Sequence, residues 1–150
     1  MRRSDESFMR ECLRLAKKGI GFANPNPMVG AIIARGGRVI ARGYHRGFGY
    51  PHAEIEALRA AKGDTKGAIL YVNLEPCRHF GKTPPCTDAI IRAKVARVVC
   101  AVRDPNRSAR GGIEGLRRAG IKVLAGVLER EAVDLNETFF TAHTMLRPFV

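Results

Sequence analysis

Apolar residues recur at two different spacings along this chain and predict helices that alternate with strands. Residues 4–19 read SDESFMRECLRLAKKG. Their apolar positions repeat at helical spacing, at Phe8, Cys12, Leu15 and Ala16. Ser4 is a typical helix N-cap and Gly19 a typical helix end. We therefore expect the chain to begin with an amphipathic helix.

Residues 29–45 contain two apolar runs on either side of Gly36-Gly37, a pattern typical of a β-hairpin. Further apolar runs predict strands at 68–74, 95–102 and 121–127, and helical spacing predicts helices at 51–62, 87–94, 113–120 and 129–146. Helices between strands favour an α/β fold. Because two strands pair as a hairpin and later ones are joined through helices, the sheet should be mixed, antiparallel at one side and parallel at the other.

Length and composition are those of one compact globular domain. The chain has 150 residues, of which 45% are hydrophobic and 27% charged. Its net charge of +12 favours an anionic partner, which charge alone leaves open between a phosphorylated metabolite, nucleic acid and an anionic surface. A solvated basic surface would explain the charge equally well.

Cysteine content and the lack of a long apolar run indicate the compartment. No run approaches the roughly 18 apolar residues of a membrane span, and the first ten residues do not resemble a secretory signal. We therefore expect a cytoplasmic protein. In that compartment its four cysteines are expected to be free, catalytic or metal-bound rather than paired in disulfides.

A titratable cluster lies at the start of two predicted helices. His52 follows Pro51 at one of them, Cys86 follows Pro84-Pro85 at the other, and Cys77 follows a predicted strand. An imidazole and two thiolates are good zinc ligands, and a catalytic zinc has three protein ligands and a water. A thiolate at a helix N-terminus is further stabilised by unpaired amides.

Glu54, two residues after His52, suits a proton carrier. Zinc lowers the pKa of a bound water to about 7, and a nearby carboxylate can pass the proton to a leaving nitrogen. Nucleobase deaminases combine H-x-E with P-C-x-x-C. Here the second half differs, because Phe80 stands where the second cysteine would be and the next cysteine is Cys86. Two alternatives stay open: incidental residues, or a structural zinc site with Glu54 or His79 as fourth ligand.

Several motifs together resemble one family. HAE, LEPCRHFGKTPPC and RDPN, preceded by NPMVG and GYH, are similar to the deaminase domain of the bifunctional riboflavin-biosynthesis diaminohydroxyphosphoribosylaminopyrimidine deaminase/reductase. The resemblance covers essentially the whole chain. It implies a cytidine-deaminase-like three-layer α/β/α sandwich around a mixed, mainly parallel five-stranded sheet. It also implies a zinc-dependent hydrolase that removes ammonia from 2,5-diamino-6-ribosylamino-4(3H)-pyrimidinone 5′-phosphate, acting on a cyclic amidine C–N bond.

Matched by position, the resemblance implies zinc ligands and a proton shuttle: His52, Cys77 and Cys86 hold zinc, and Glu54 carries protons. It implies six substrate contacts: Asn26, His45, His79, Lys82, Asp104 and Asn106. Lys82 suits a phosphate as a mobile point charge. Structural roles are the alternatives, with Asn26 as a loop residue, Lys82 as a solvated cation, His45 as a strand-end group and 104–106 as a turn.

The chain departs from the family pattern at two loops. RSARGG follows Asn106, and Gly49-Tyr50 precedes the HAE motif. Both loops could contact substrate, so they affect substrate identity rather than the metal set. Residues 146–150 resemble the lead-in to the reductase half of the family. We therefore expect a single deaminase domain over 1–150 that deaminates and does not reduce, with a separate reductase as a candidate partner. The oligomeric state, including a homo-oligomer, is left open.

Two rival functions fit parts of the sequence. A zinc deaminase acting on another nucleobase, a nucleotide, RNA or single-stranded DNA would use the positive charge, but the chain has no Trp and only 7% aromatic residues for stacking. Nucleic acid is therefore disfavoured as a partner. A non-catalytic, zinc-stabilised binding module would retain the metal site without turnover.

Overall fold

The computed structural model describes residues 4–19, 26–78 and 85–145. The described strands are β1 Gly30–Arg35, β2 Arg38–Tyr44, β3 Ile69–Val72, β4 Arg97–Cys100 and β5 Lys122–Ala125. The described helices are α1 Asp5–Ala16, α2 Ala53–Ala60, α3 Cys86–Arg92, α4 Gly112–Arg118, α5 Glu129–Leu135 and α6 Glu137–Met145, with a 3₁₀ turn at Lys17–Gly19. The predicted alternation of strands and helices is confirmed.

The five strands form one mixed sheet in the order β2-β1-β3-β4-β5. Strand β1 is antiparallel to both of its neighbours, whereas β3 with β4 and β4 with β5 are parallel. Four strands therefore point in one direction and β1 alone opposes them, which confirms a mixed, mainly parallel sheet. At the hairpin Gly36 and Gly37 have φ values of 60° and 80°, the conformation that a two-residue hairpin turn requires of both residues.

Two glycines show that helices cover both faces of the sheet. Gly43 pairs with Ala31, the neighbour of Gly30, so Gly30 and Gly43 face opposite sides. A Cβ on Gly30 would lie 2.2 Å from the Cys12 oxygen of α1, and one on Gly43 would lie 2.5 Å from the Ala57 nitrogen of α2. Helices α1 and α2 therefore pack closely on opposite faces, as the predicted three-layer sandwich requires.

The core is centred on β1, β3 and β4. Ile32, Ile33, Leu70, Val98 and Val99 are fully buried. In contrast β5 is an edge strand and is largely exposed. None of the helices in the described ranges is long and apolar enough to cross a membrane.

The structure differs from the sequence prediction at two helices. Pro51 lies before α2 and His52 is its N-cap, so neither residue is in the first helical turn. The single helix predicted at 129–146 is two helices that meet at Asn136. The backbone of Asn136 leaves the helical conformation, and its buried side chain binds the backbone of Met28 at both polar atoms.

Candidate metal centre and adjoining pocket

Three potential metal donors converge where β3 and two helix N-termini meet. His52 caps α2, Cys86 is the first residue of α3, and Cys77 lies in the loop after β3. One donor atom from each lies within 4.8 Å of the other two. The backbone nitrogen of Cys86 donates to Sγ of Cys77 at 3.3 Å, and the Cys77 carbonyl accepts from the Thr87 nitrogen at 3.2 Å. The α3 N-terminus therefore fixes Cys77 as well as Cys86.

The pKa values of the three donor side chains indicate that their site favours a positive charge. The Cys86 thiol donates to Cys77 and lowers the pKa of Cys77, while the same contact and burial raise the pKa of Cys86. Interaction with the Cys77 thiolate raises the pKa of His52 to about 9. His52 Nδ1 lies 3.2 Å from Sγ of Cys86 and 3.8 Å from Sγ of Cys77. Protons on Cys86 and His52 thus balance the negative charge of the Cys77 thiolate. A bound cation would balance the same charge in their place.

The donor set fits zinc. Two sulfurs and one imidazole nitrogen are ligands that zinc prefers, and three protein ligands leave a fourth position open. All three side chains already approach one point, so binding would replace shared protons with a metal ion. Within the described residues, no other group of three or more histidine, cysteine or acidic side chains is close enough to hold a metal.

Glu54 is a buried carboxyl beside these donors. It is in the first turn of α2 and is 4% exposed. Burial raises its pKa to about 7, although positive charge on His52 opposes this. A carboxyl with such a pKa can both accept and donate a proton near neutral pH.

A pocket of about 240 Å³ adjoins the donors. Glu54 lines it together with two of them, His52 and Cys77. Of the six residues expected to contact substrate, four also line this pocket: Asn26, His45, Asp104 and Asn106. The sequence-predicted residues that the structure describes are therefore brought together at one site.

Asn26 and His45 form one wall of the pocket. His45 Nδ1 lies 3.1 Å from the Pro51 carbonyl and Nε2 lies 3.1 Å from the Asn26 side-chain nitrogen. A neutral ring that donates from Nδ1 and accepts at Nε2 satisfies both contacts. Burial lowers the pKa of His45, in agreement with the neutral form. His45 thereby contacts the residue that precedes His52.

Asp104 and Asn106 form another wall of the pocket and are held by two successive side-chain turns. Asp104 Oδ1 accepts from the Asn106 nitrogen at 2.9 Å, and Asn106 Oδ1 accepts from the Ser108 nitrogen at 3.1 Å. The turn expected from the Asp-Pro-Asn pattern is therefore present. Both residues also line the pocket, so the turn is compatible with the expected substrate contact. Burial raises the pKa of Asp104.

Seven of the residues that line the pocket were not among the predicted site residues, and two of them, Phe139 and Glu75, bear on how the site is built. Phe139, in the last helix, packs on the core and also lines the pocket. Glu75 is buried at the pocket beside Cys77. Glu75 could have been predicted from its position in the EPC motif. The position of Phe139 depends on the helix break at Asn136, which helical periodicity does not predict.

Two predicted substrate residues, His79 and Lys82, lie outside the described residues, as does the 146–150 stretch. The other two cysteines, Cys12 and Cys100, are fully buried and form no disulfide. Neither cysteine belongs to the group of three metal donors.

Comparison with known proteins relates the chain to zinc-binding deaminases. The family model for the cytidine and deoxycytidylate deaminase zinc-binding region matches residues 2–102. The chain is 53% identical over 151 residues to riboflavin biosynthesis protein RibD of Aquifex aeolicus (strain VF5), covering 100% of this chain and 42% of that protein. It is 48% identical to RibD of Escherichia coli (strain K12), covering 90% of this chain and 37% of that protein. The chain thus spans about two fifths of these curated relatives.

Solved structures agree. A diaminohydroxyphosphoribosylaminopyrimidine deaminase/5-amino-6-(5-phosphoribosylamino)uracil reductase from Thermotoga maritima matches with a TM-score of 0.92 and 51% identity, covering 96% of this chain and 42% of that one. The Aspergillus oryzae Rib2 deaminase in complex with DARIPP matches with a TM-score of 0.72 and 26% identity, covering 95% of each chain. These neighbours bear out the cytidine-deaminase-like fold expected from the motifs.

Proposed function

We propose that this chain, which belongs to the zinc-binding cytidine and deoxycytidylate deaminase family, deaminates 2,5-diamino-6-ribosylamino-4(3H)-pyrimidinone 5′-phosphate in riboflavin biosynthesis. The observation that carries the proposal is the pocket that is lined by Glu54 and by two of the three metal donors, His52 and Cys77. The names of the similar proteins support this substrate over cytidine. We further propose that residues 1–150 act as one deaminase domain, with a reductase as its functional partner.

In this proposal His52, Cys77 and Cys86 hold the zinc ion. When bound, zinc supplies Lewis-acid activation of water at neutral pH. The reaction replaces the amino group on a ring carbon by oxygen: water adds to that carbon, the C–N bond breaks, and ammonia leaves as a carbonyl forms. Glu54 takes a proton from the attacking water and gives it to the leaving nitrogen. Its raised pKa, about 7, suits both transfers.

The pocket walls would hold the substrate around that carbon. Asn26 and Asn106 offer amide groups that can donate and accept, which matches a pyrimidinone edge or a ribose. His45, fixed as a neutral ring by its two contacts, would position Asn26. We assign the phosphate to Lys82 and an additional substrate contact to His79, on the motif resemblance alone. The buried Asp104 would accept hydrogen bonds from substrate N–H or O–H groups.

The proposal is tested by incubating the zinc-loaded protein with the ribotide and following ammonia release. Cytidine, deoxycytidylate and a single-stranded RNA serve as competing substrates in parallel reactions. Ammonia from the ribotide, at a kcat/KM well above that of the competitors, is expected. Zinc binding without ammonia from any of the four would indicate the non-catalytic binding module instead. Preferred turnover of a competitor would reassign the substrate and retain the reaction.

A further inference from the structure

We propose that Glu75 is a positioning residue that fixes the Asp104–Asn106 wall of the pocket relative to the metal centre. This inference rests on the proposed function, in which that wall contacts substrate. Glu75 follows β3 closely and precedes Cys77 by two positions. Its side chain is 0% exposed. A carboxylate excluded from water in this way must be satisfied by hydrogen bonds from the protein.

Backbone amides provide those hydrogen bonds. Glu75 Oε1 accepts from the Asp104 nitrogen at 3.0 Å, and Oε2 accepts from the nitrogens of Gly111 and Ile113 at 3.2 and 3.1 Å. The two carboxylate oxygens thus bind the two ends of one segment, the loop that runs from β4 to α4. The Glu75 side chain therefore connects both ends of this loop.

The nearest cation makes its stronger contacts elsewhere. Arg103 Nη1 lies 3.8 Å from Glu75 Oε2, but Arg103 binds both carboxylate oxygens of the exposed Glu114 at 3.2 and 2.7 Å. The main role of Glu75 is therefore to bind backbone amides, and an ion pair is secondary. This distinguishes Glu75 from an ordinary salt-bridge residue.

The geometry transmits the position of Glu75 to the pocket. The Glu75 nitrogen donates to the Val102 carbonyl at 2.9 Å, so the exits of β3 and β4 are joined in both directions. Asp104, held by its nitrogen, then accepts from the Asn106 nitrogen through Oδ1. The two pocket residues therefore take their place from Glu75 rather than from each other alone.

The other side of this connection reaches the metal segment. A Cβ on Gly112 would lie 1.9 Å from the Pro76 carbonyl oxygen, so the start of α4 is in tight contact with the residue between Glu75 and Cys77. Glu75 binds the amides on both sides of Gly112. Cys77 and the Asp104–Asn106 wall are thereby both connected to Glu75 through short stretches of backbone.

Replacement by glutamine tests this role at nearly constant shape. The glutamine side chain would keep one acceptor oxygen and place an NH₂ group against the remaining N–H donors. Either Asp104 or the Gly111 and Ile113 pair would then face a donor. Because a small misplacement of substrate-binding groups has large kinetic effects, Glu75→Gln should raise KM for the ribotide about tenfold or more while kcat changes less than about threefold. Zinc content should remain at the wild-type level.

The experiment compares the zinc-loaded wild type with Glu75→Gln and a matched control, Glu11→Gln. Glu11 is a largely buried carboxylate that binds Arg42 and is not among the residues that line the pocket. The control should leave KM and kcat unchanged. Amide hydrogen exchange at Asp104, Gly111 and Ile113 is measured in all three proteins, and faster exchange is expected in Glu75→Gln alone.

The outcomes separate this proposal from the proposed function. An unchanged KM in Glu75→Gln, or a parallel loss of zinc and kcat, would overturn the positioning role. If the wild type releases no ammonia from the ribotide, the proposed function fails, and exchange alone decides for Glu75: unchanged protection at Asp104 overturns the role. If Glu75→Gln does not fold, Glu75→Asp, which keeps two acceptor oxygens on a shorter stem, takes its place and must show the same rise in KM.

Discussion

The backbone nitrogen of Cys86 donates a hydrogen bond to Sγ of Cys77 at 3.3 Å. One potential metal ligand is therefore held by the backbone of another, across the segment that separates them in sequence. The amide belongs to the first residue of α3, where backbone N–H groups have no partner within the helix. Such an amide favours the thiolate form of Cys77. The fold thus prepares the charge state that zinc requires of its ligands.

Replacing Cys77 by alanine should remove most of the bound zinc. Wild-type protein is expected to contain about one zinc per chain, held by three protein ligands. Loss of one thiolate leaves two ligands, too few for a stable site. Elemental analysis after gel filtration measures the ratio. Cys100→Ala is the matched control, because Cys100 is fully buried in β4 and is not one of the metal donors. Full zinc content in the Cys77 variant would show that the ligand assignment is wrong.

Glu54→Gln should abolish most ammonia release while zinc stays bound. The amide retains the shape of the side chain but cannot take a proton, and a positioned acid or base contributes about 10²–10⁴-fold. Single-turnover and steady-state ammonia assays measure the effect. Glu56→Gln in the same helical turn is the control, since the Glu56 carboxylate lies 3.9 Å from Arg46 and Glu56 is not among the residues that line the pocket. Turnover within about threefold of wild type, far below that range, would exclude Glu54 as the shuttle.

Lys82→Ala should weaken recognition of the phosphate group. The expectation rests on the motif, with Lys82 as a mobile positive charge. KM should rise far more for the ribotide than for its dephosphorylated analogue. Lys66→Ala provides a control, because Lys66 lies in the turn after α2 and is not among the residues that line the pocket. Equal effects of Lys82→Ala on the two substrates would show that Lys82 does not read the phosphate.

Local patterns predicted much of this molecule. Gly36-Gly37 between two apolar runs predicted the hairpin, because both residues need a positive φ that glycine adopts readily. The metal donors could be grouped because their chemistry is carried by side chains in short motifs. Their residue types alone point to zinc, whatever the distance between them in sequence.

Long-range backbone contacts could not be predicted in the same way. Glu75 binds three amides that lie 29 to 38 positions along the chain, and backbone amides carry no sequence signal. Asn136 reads as one more position of a helix, yet it binds Met28 across 108 positions. That tertiary contact overrides helical periodicity and divides the last predicted helix.

Asp5 should make stability depend on pH in the acid range. Its carboxylate accepts from Arg97 at 2.7 Å and from the Tyr71 hydroxyl at 2.8 Å. The hydrogen bond from Arg97 lowers the pKa of Asp5 below its usual value. The folded protein therefore holds the proton less tightly than the unfolded chain. This stabilisation is complete above the unfolded pKa, near 4, and is lost as the pH falls through the folded pKa.

Urea unfolding of the wild type and Asp5→Asn at a series of pH values measures this effect. The difference in unfolding free energy should be constant between about pH 6 and 8 and should shrink below about pH 4. Effects of acid on the metal ligands are common to both proteins and cancel in the difference, since these sites are separate. A difference that stays constant down to about pH 2 would contradict a lowered pKa for Asp5.

Asn136→Ala should lower both stability and substrate affinity. The Asn136 side chain accepts from the Met28 nitrogen at 2.7 Å and donates to the Met28 carbonyl at 2.8 Å. The carbonyl keeps a second donor, Asn73 at 3.1 Å, so the unsatisfied Met28 N–H should dominate the cost, about 1–3 kcal/mol by urea unfolding. KM should also rise, because Met28 is two residues from Asn26 in the pocket wall. Asn136→Asp, which keeps the acceptor for that N–H, should lose less of both; an equal loss in the two variants would shift the role to the donated bond.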